Sequence, residues 1–386
     1  MDQLANLCYT PIAMIRAFKP NKNPPISGLD RIRAQNQNQK VWEYLKRYQS
    51  SSFVQKKLRK EIATNRGLIN LKAAQIASLM VQSEKYYEAA ASAPLEIKPL
   101  ILYYGMVGLS KCLILSGDNI YTLSALAPDN RNHSTHGLKF GAQDTNDITI
   151  RDGKRISNEF CYVATSPTII GLYNLLRSCY SNTPIPNNTR FTVQDLLSLI
   201  PEIYKEYLAY FRQKPRSWGA SANFGANNPN DTIQVIKFVD WYSHSQRINR
   251  RERYANCILR CFPELNTLYT REPNTDDRFK LNNNAVNIDD YIYVSQLMTL
   301  ETFALKRLSG FSFSDIDVHF ILMYILSNLV RYRQDKWSRL IRRLDNDEMF
   351  LVESFIEVSS IKFPYLILRE LDNIDYVFTG QVATLG

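Results

Sequence analysis

Glycine is scarce in this 386-residue chain, with 14 in all, and none of them forms a phosphate-cradling loop. That excludes a glycine-rich nucleotide fold. No H-E-x-x-H and no G-x-S-x-G occur, so a zincin helix and a nucleophile elbow are excluded as well. Six cysteines are scattered without a C-x-x-C pair. Cys257 and Cys261 stand four apart, but no histidine lies nearby to complete a metal site. The expectation is therefore no metal, no cofactor and a reduced, cytoplasmic setting. The first twenty residues lack a basic start followed by an apolar run and a cleavage site, so no signal peptide is expected. The apolar runs Pro99–Ser110 and Val318–Val330 are too short to cross a bilayer and read as buried helices, with no membrane partner.

Basic charge is abundant and uneven. The formal net charge is +10. Between Arg31 and Arg66 ten basic residues face two acidic ones, and between Arg331 and Arg343 six face one. The remaining tail has eight acids against Lys362 and Arg369. Basic segments of this density favour an anionic partner, and nucleic acid, RNA rather than DNA, is the expected one. The candidate nucleic-acid-binding residues are Lys56, Lys57, Arg59, Lys60, Arg331, Arg333, Arg339, Arg342 and Arg343. The competing reading is a solvated helix face. In that reading Arg331 and Arg333 satisfy carbonyls at a helix end and Trp337 anchors the next helix.

The fold class is mostly α, a multi-helix bundle with a small β-hairpin insertion. Trp42, Leu45 and Tyr48 recur every three residues and mark a short helix. Ile69, Ala73, Ile76 and Met80 mark a long one ending near Ala93-Pro94. A third runs from about Leu95 to Ser116, and the short turn between them implies an antiparallel pair. Asp152-Gly153 is the expected hairpin turn, and the run from Phe160 is a further strand. Helices are expected at Ser166–Tyr180, at Thr192–Arg212 with Thr192 as cap, and in a helical unit reaching Phe262. Three more are expected at Asp289–Leu308, Ser314–Arg333 and Lys336–Leu344, with Ser314 capping the middle one. Ser217–Asp231, rich in Gly and Asn, reads as a weakly ordered loop. The expected organisation is an extended arm over 1–40, a helical region over 41–145, the insertion and middle helices over 146–270, and a helical region with an acidic tail over 271–386. Residues 41–386 are also compatible with one compact domain.

Two of the four histidines lie in one polar stretch, Ala127–Gly141. There Arg131 precedes His136 by five residues, with Asn132 and His133 between them. Histidine near its neutral pKa can take a proton from a ribose hydroxyl or return one to a leaving oxygen, and arginine can hold the scissile phosphate. Arg131, Asn132, His133 and His136 are thus candidate catalytic residues for metal-independent RNA cleavage. A polar loop that happens to hold them is the competing reading. His319 sits in a run apolar nearly all round and reads as a hydrogen-bonded core residue.

Two segments carry a family resemblance. A Tyr-Tyr helix runs into Pro99, Leu100, Tyr103, Tyr104 and Gly105, followed later by His136, Gly137 and Leu138. Near the C-terminus come Leu326, Ser327, Leu329, Arg331, Tyr332 and Trp337. This pattern resembles the YaaC-like family of bacterial proteins, over roughly Trp42 to Leu344. The Arg-x4-His spacing and helical layout also resemble the HEPN superfamily of small helical bundles, often metal-independent ribonucleases of toxin and antiphage systems. That likeness implies a ribonuclease of a bacterial defence system. The departure is that Gly137 and Gly141 break a helix where the HEPN motif lies in one. Two functions stand at this point. One is an RNA-directed enzyme of such a system. The other is a non-catalytic helical adaptor gripping nucleic acid or a partner protein in a defence complex, possible as a homo-oligomer.

Overall fold

The computed structural model describes residues 28–34, 36–61, 65–117, 121–124, 126, 136–141, 156–164, 171–181, 184–213, 215–224, 233–238, 269–271, 278–281, 293–296, 302–305, 308, 311, 313–344 and 347–379. They fall into two units, each assembled from three stretches of chain. One unit comprises 34–215, 314–372 and 380–386, the other 1–33, 216–313 and 373–379.

The first unit is helical and built around one helix pair. Helix α1 (Gln37–Leu45) runs through a 3-10 turn, Lys46–Gln49, into α2 (Ser51–Glu61). Val41, Leu45 and Tyr48 are buried there, close to the expected stripe. Helix α3 (Arg66–Ser92) starts at the Asn65 cap, whose side chain accepts from the Leu68 N–H at 3.0 Å. Ile69, Ala73, Ile76 and Met80 all face its core. Helix α4 (Lys98–Ser116) follows a five-residue turn. Its contacts with α3 pair Lys72 with Gly117, Ile76 with Cys112, Ser83 with Gly108 and Tyr87 with Gly105. Rising numbers on one helix meet falling numbers on the other, so the pair is antiparallel.

The two helices approach closely because two glycines let them. A Cβ on Gly108 would stand 2.2 Å from the Ser83 hydroxyl, and one on Gly105 would stand 2.8 Å from the Tyr87 ring. Helix α4 is long and apolar enough to cross a membrane by length and composition, yet 67% of that window is buried inside the unit. It is the longer helix around the run expected to be too short. Its burial makes it a core element of this unit.

The rest of the unit wraps this pair. Three short strands form an antiparallel sheet in the order β2 (Leu138–Phe140), β3 (Phe160–Val163), β4 (Arg190–Thr192). Helices α5 (Leu172–Ser178), α6 (Val193–Leu197) and α7 (Tyr204–Phe211) follow. Thr192 caps α6 through the Asp195 N–H as expected, but Pro201 opens a separate 3-10 turn, so one expected helix becomes two. Helix α8 (Asp315–Tyr332) packs on α4 and is buried on all sides up to Val330. Ser314 and Asp317 close a reciprocal capping box at its start. Helices α9 (Gln334–Ile341) and α10 (Glu348–Asp372) complete the unit. The segment expected as an acidic tail is mostly this 25-residue helix, with Leu351, Val352, Phe355, Ile356 and Phe363 in the core.

The second unit is the β-rich one. Strands β5 (Ser217–Phe224), β6 (Ile233–Phe238), β7 (Tyr269–Arg271), β8 (Arg278–Leu281), β9 (Tyr293–Gln296) and β10 (Thr302–Leu305) form a six-stranded sheet in the order β7-β8-β6-β5-β10-β9. Every neighbouring pair is antiparallel. A parallel pair joins β1 (Gly28–Arg33) to β11 (Ile374–Thr379).

Three expectations are corrected here. The helix at Asp289–Leu308 is replaced by β9 and β10, because short apolar runs carry no period that separates helix from strand, and Tyr293, Val294, Thr302 and Phe303 favour a pleated surface. The first half of the expected loop at Ser217–Asp231 is β5, paired on both sides. The helical unit reaching Phe262 begins instead with β6. The hairpin turn at Asp152-Gly153 lies outside the described residues, as do His244, Cys257 and Cys261. The chain as a whole remains mostly α, as its composition and spacing imply.

His319 is a core residue, 1% exposed, but neither ring nitrogen has a hydrogen-bond partner among the described residues. It stacks on Phe355 instead. Burial, helped by the Lys362 ammonium, pushes its pKa well below the ordinary 6.5. Burial pushes Lys362 itself down, but the carboxylates of Asp315 and Glu202 outweigh that and hold it charged.

Two outcomes are expected. Gly108→Ala drives a methyl into Ser83 and lowers stability by about 1–3 kcal/mol in urea unfolding, unless the helices shift apart. The unfolded chain protonates His319 near pH 6.5 while the folded chain does not, so its contribution is complete above that pH and is lost as pH falls below it. His319→Phe therefore leaves Tm at pH 7.5 equal or higher, and makes the fall in Tm between pH 6.5 and 5 shallower than in the native chain. Parallel pH–Tm curves would contradict this.

Candidate anion site

His136 enters the core from the start of a strand. Its backbone carbonyl accepts the Tyr173 N–H at 3.0 Å, tying it to the first turn of α5. Gly137 follows with φ +73°, and a Cβ there would meet the Asn174 side-chain oxygen at 2.6 Å. Only glycine turns the chain at this point. Leu138 then opens β2, and its carbonyl accepts the Tyr324 hydroxyl at 2.9 Å.

The supports of this turn are themselves locked. Asp317, fully buried, accepts from Tyr173 at 2.9 Å, from Tyr180 at 2.7 Å, from the Ser314 N–H at 2.9 Å, and from the Arg177 guanidinium. Burial pushes Arg177 down, but the neighbouring Asp317 outweighs it and keeps the guanidinium charged. The carboxylate thus ties both ends of α5 to the first turn of α8.

Two tyrosines meet at the imidazole. The Tyr103 hydroxyl of α4 lies 2.8 Å from His136 Nδ1. The Tyr324 ring of α8 stands 5.6 Å from the imidazole and 5.7 Å from Tyr103. Burial pushes the Tyr103 phenol well above its ordinary value, so it keeps its proton. That hydroxyl is fully buried with His136 as its sole hydrogen-bond partner among the described residues. A buried O–H left without an acceptor is costly, so Tyr103 donates to Nδ1 and the imidazole proton sits on Nε2.

Two cations act on this imidazole. Burial lowers the His136 pKa first, then Arg331 and Lys111 lower it further. Lys111 is half-buried on α4 and is itself pushed down by burial. It has no ion pair or hydrogen bond among the described residues. Arg331 uses Nε and one Nη on Ser327, its carbonyl at 3.2 Å and its hydroxyl at 3.4 Å, leaving the other Nη unengaged. No carboxylate faces either cation among the described residues. The positive charges of an ammonium and a guanidinium thus both bear on this imidazole. That arrangement suits an oxyanion.

Of the four candidate catalytic residues, His136 alone is described; Arg131, Asn132 and His133 lie outside the described residues. The arginine brought to His136 is Arg331, from the far end of the chain. Lys111 was not singled out by sequence. Its signal is a charge in the interior of a helix that is apolar beyond its first residue.

The candidate basic residues scatter. Lys56, Arg59 and Lys60 are exposed on α2, while Lys57 lies 3.7 Å from Asp372. Arg333 ends α8, its N–H bonded to the Leu329 carbonyl. Arg339, Arg342 and Arg343 are exposed, and Arg343 pairs with Glu353 at 3.4 Å. Lys336 pairs with Glu159 at 2.5 Å, and Trp337 is buried, donating to the Glu96 carbonyl at 3.0 Å. This part of the basic run is thus packed structure. Among the described residues no group of three metal-ligating side chains occurs.

The residues converging here are those of the sequence pattern noted above: Tyr103, His136–Leu138, Ser327 and Arg331. A family model described as YaaC-like protein matches residues 46–371, and the chain belongs to that family. Comparison with curated proteins and with solved structures gives no match.

The proton assignment has a direct check. Long-range 15N NMR of the native chain should show His136 as the Nε2–H tautomer. Tyr103→Phe removes the donor and should yield a mixture of tautomers. An Nδ1–H signal in the native chain would mean that Tyr103 accepts instead.

Proposed function

We propose that this YaaC-like chain is an RNA-directed cytoplasmic protein that holds a phosphate group at Lys111, His136 and Arg331. The observation that carries the reading is that two half-buried cations, with no carboxylate partner among the described residues, both bear on one imidazole. Desolvated cations left unpaired are costly, and a bound anion repays that cost. The excess of basic residues and the Arg131-to-His136 spacing support RNA as the source of the phosphate.

In this reading the protein grips RNA, alone or with a protein partner in a defence complex. A neutral imidazole with Nε2 protonated donates a hydrogen bond but cannot take a proton at that atom. A second reading, metal-independent cleavage, is favoured by one observation. With the roles of the hydroxyl–imidazole contact reversed, Nδ1–H donates to the Tyr103 oxygen and Nε2 is free to take a proton from a ribose hydroxyl. Arg131 and His136 would then share the work the sequence suggested.

One experiment separates the two. Single-stranded RNA binding is measured by fluorescence anisotropy over a salt series, beside a cleavage assay in EDTA. Lys111→Gln and Arg331→Gln should each weaken binding several-fold and flatten its salt dependence by about one unit of slope. Intact RNA after long incubation supports the gripping reading. Cleavage that survives EDTA and disappears in His136→Ala supports the second. Unchanged affinity in both charge variants overturns the phosphate site.

A further inference from the structure

The most exposed large apolar side chain among the described residues is Tyr332, at 67%. It is the last residue of α8, next to Arg331. Its ring packs on no other ring among the described residues, and its one recorded contact is the Arg331 guanidinium, 5.2 Å from the centroid. The arginine is thus shared between the aromatic face and the anion site. Inward on the same helix, the Tyr324 ring lies 5.6 Å from His136, which meets Tyr103 at 2.8 Å.

An isolated exposed tyrosine is ordinary. Its position beside an arginine that faces the anion site is the informative part. A nucleotide carries a flat base a few ångströms from its phosphate, and an exposed ring accepts any base on its face. The guanidinium beside the ring also favours stacking of a planar group. We propose that Tyr332 is the base platform of the anion site. Its ligand is then an unpaired nucleotide, with the phosphate toward Arg331 and Lys111 and the base on the Tyr332 ring. Base-paired RNA is excluded in this arrangement, because its bases are not free to stack on protein.

The proposal rests on the phosphate reading above, and the test keeps the two apart. Isothermal titration of the full chain compares adenosine 5′-monophosphate with ribose 5-phosphate, which lacks only the base. The native chain should bind the nucleotide roughly tenfold more tightly. Tyr332→Ala should bring the nucleotide down to the level of ribose 5-phosphate, leave ribose 5-phosphate unchanged, and be rescued by Tyr332→Phe. Equal affinity for the two ligands in the native chain overturns the platform and leaves the phosphate site standing. So does a nucleotide advantage that survives Tyr332→Ala, or an equal loss for both ligands. If neither ligand binds, the phosphate site and the platform fall together.

Discussion

One buried carboxylate holds the candidate site in place. Asp317 accepts four hydrogen bonds, from Arg177, Tyr173, Tyr180 and the Ser314 N–H, with no exposure of its own. Each partner fixes a different part of the chain. Ser314 starts α8, Tyr173 and Arg177 lie on α5, and Tyr180 follows it. Through the Tyr173 N–H the same helix fixes the His136 carbonyl. Breaking a buried pair by removing one partner strands the other charge and costs about 3–5 kcal/mol. The imidazole's position therefore depends on a carboxylate it never touches.

Charge compensation separates structure from site within this unit. Arg177 faces Asp317, Lys362 faces Glu202 and Asp315, and Lys336 faces Glu159. Each of these three cations has its carboxylate, which offsets the cost of its burial. Lys111 differs from these three, half-buried with no such partner among the described residues. Arg331 differs in part, its bonds going only to the hydroxyl and carbonyl of Ser327. Both exceptions act on the same histidine. Two cations that bear on one imidazole and have no carboxylate partner among the described residues fit an anion that arrives from outside.

Local signals in the sequence were legible, and long-range ones were not. Asn65, Thr192 and Ser314 cap helices within three residues of themselves, so their role is written in the neighbouring letters. The α3 stripe at Ile69, Ala73, Ile76 and Met80 repeats over many turns and survives any context. Strands β9 and β10 are four residues each, too short to carry a period, and were taken for helix. Helix α10 was hidden by its acids, although Glu348 is buried and accepts from Ile156 N–H and Ser157, both at 2.6 Å. At the site, His136 was legible as a candidate. Its partners Lys111 and Arg331 are 25 positions before it and 195 after it, so only the fold brings them together.

Where a single proton sits decides what such a site can do. With Tyr103 donating its hydrogen bond to Nδ1, His136 becomes a fixed donor at Nε2, and together with the charges of Lys111 and Arg331 it favours a negative group. The same buried phenol, too weak an acid to ionise, cannot supply the negative charge that would stabilise an imidazolium. Burial and the two cations also oppose that imidazolium. A general base must become positive when it takes a proton, and here every neighbour among the described residues resists it. The anion itself is the one element that reverses this balance. A phosphate bound at Nε2–H supplies the missing negative charge, raises the basicity of the imidazole and makes its protonation less costly. Holding phosphate is thus the step that the apo geometry favours, and any proton transfer by His136 depends on that binding coming first.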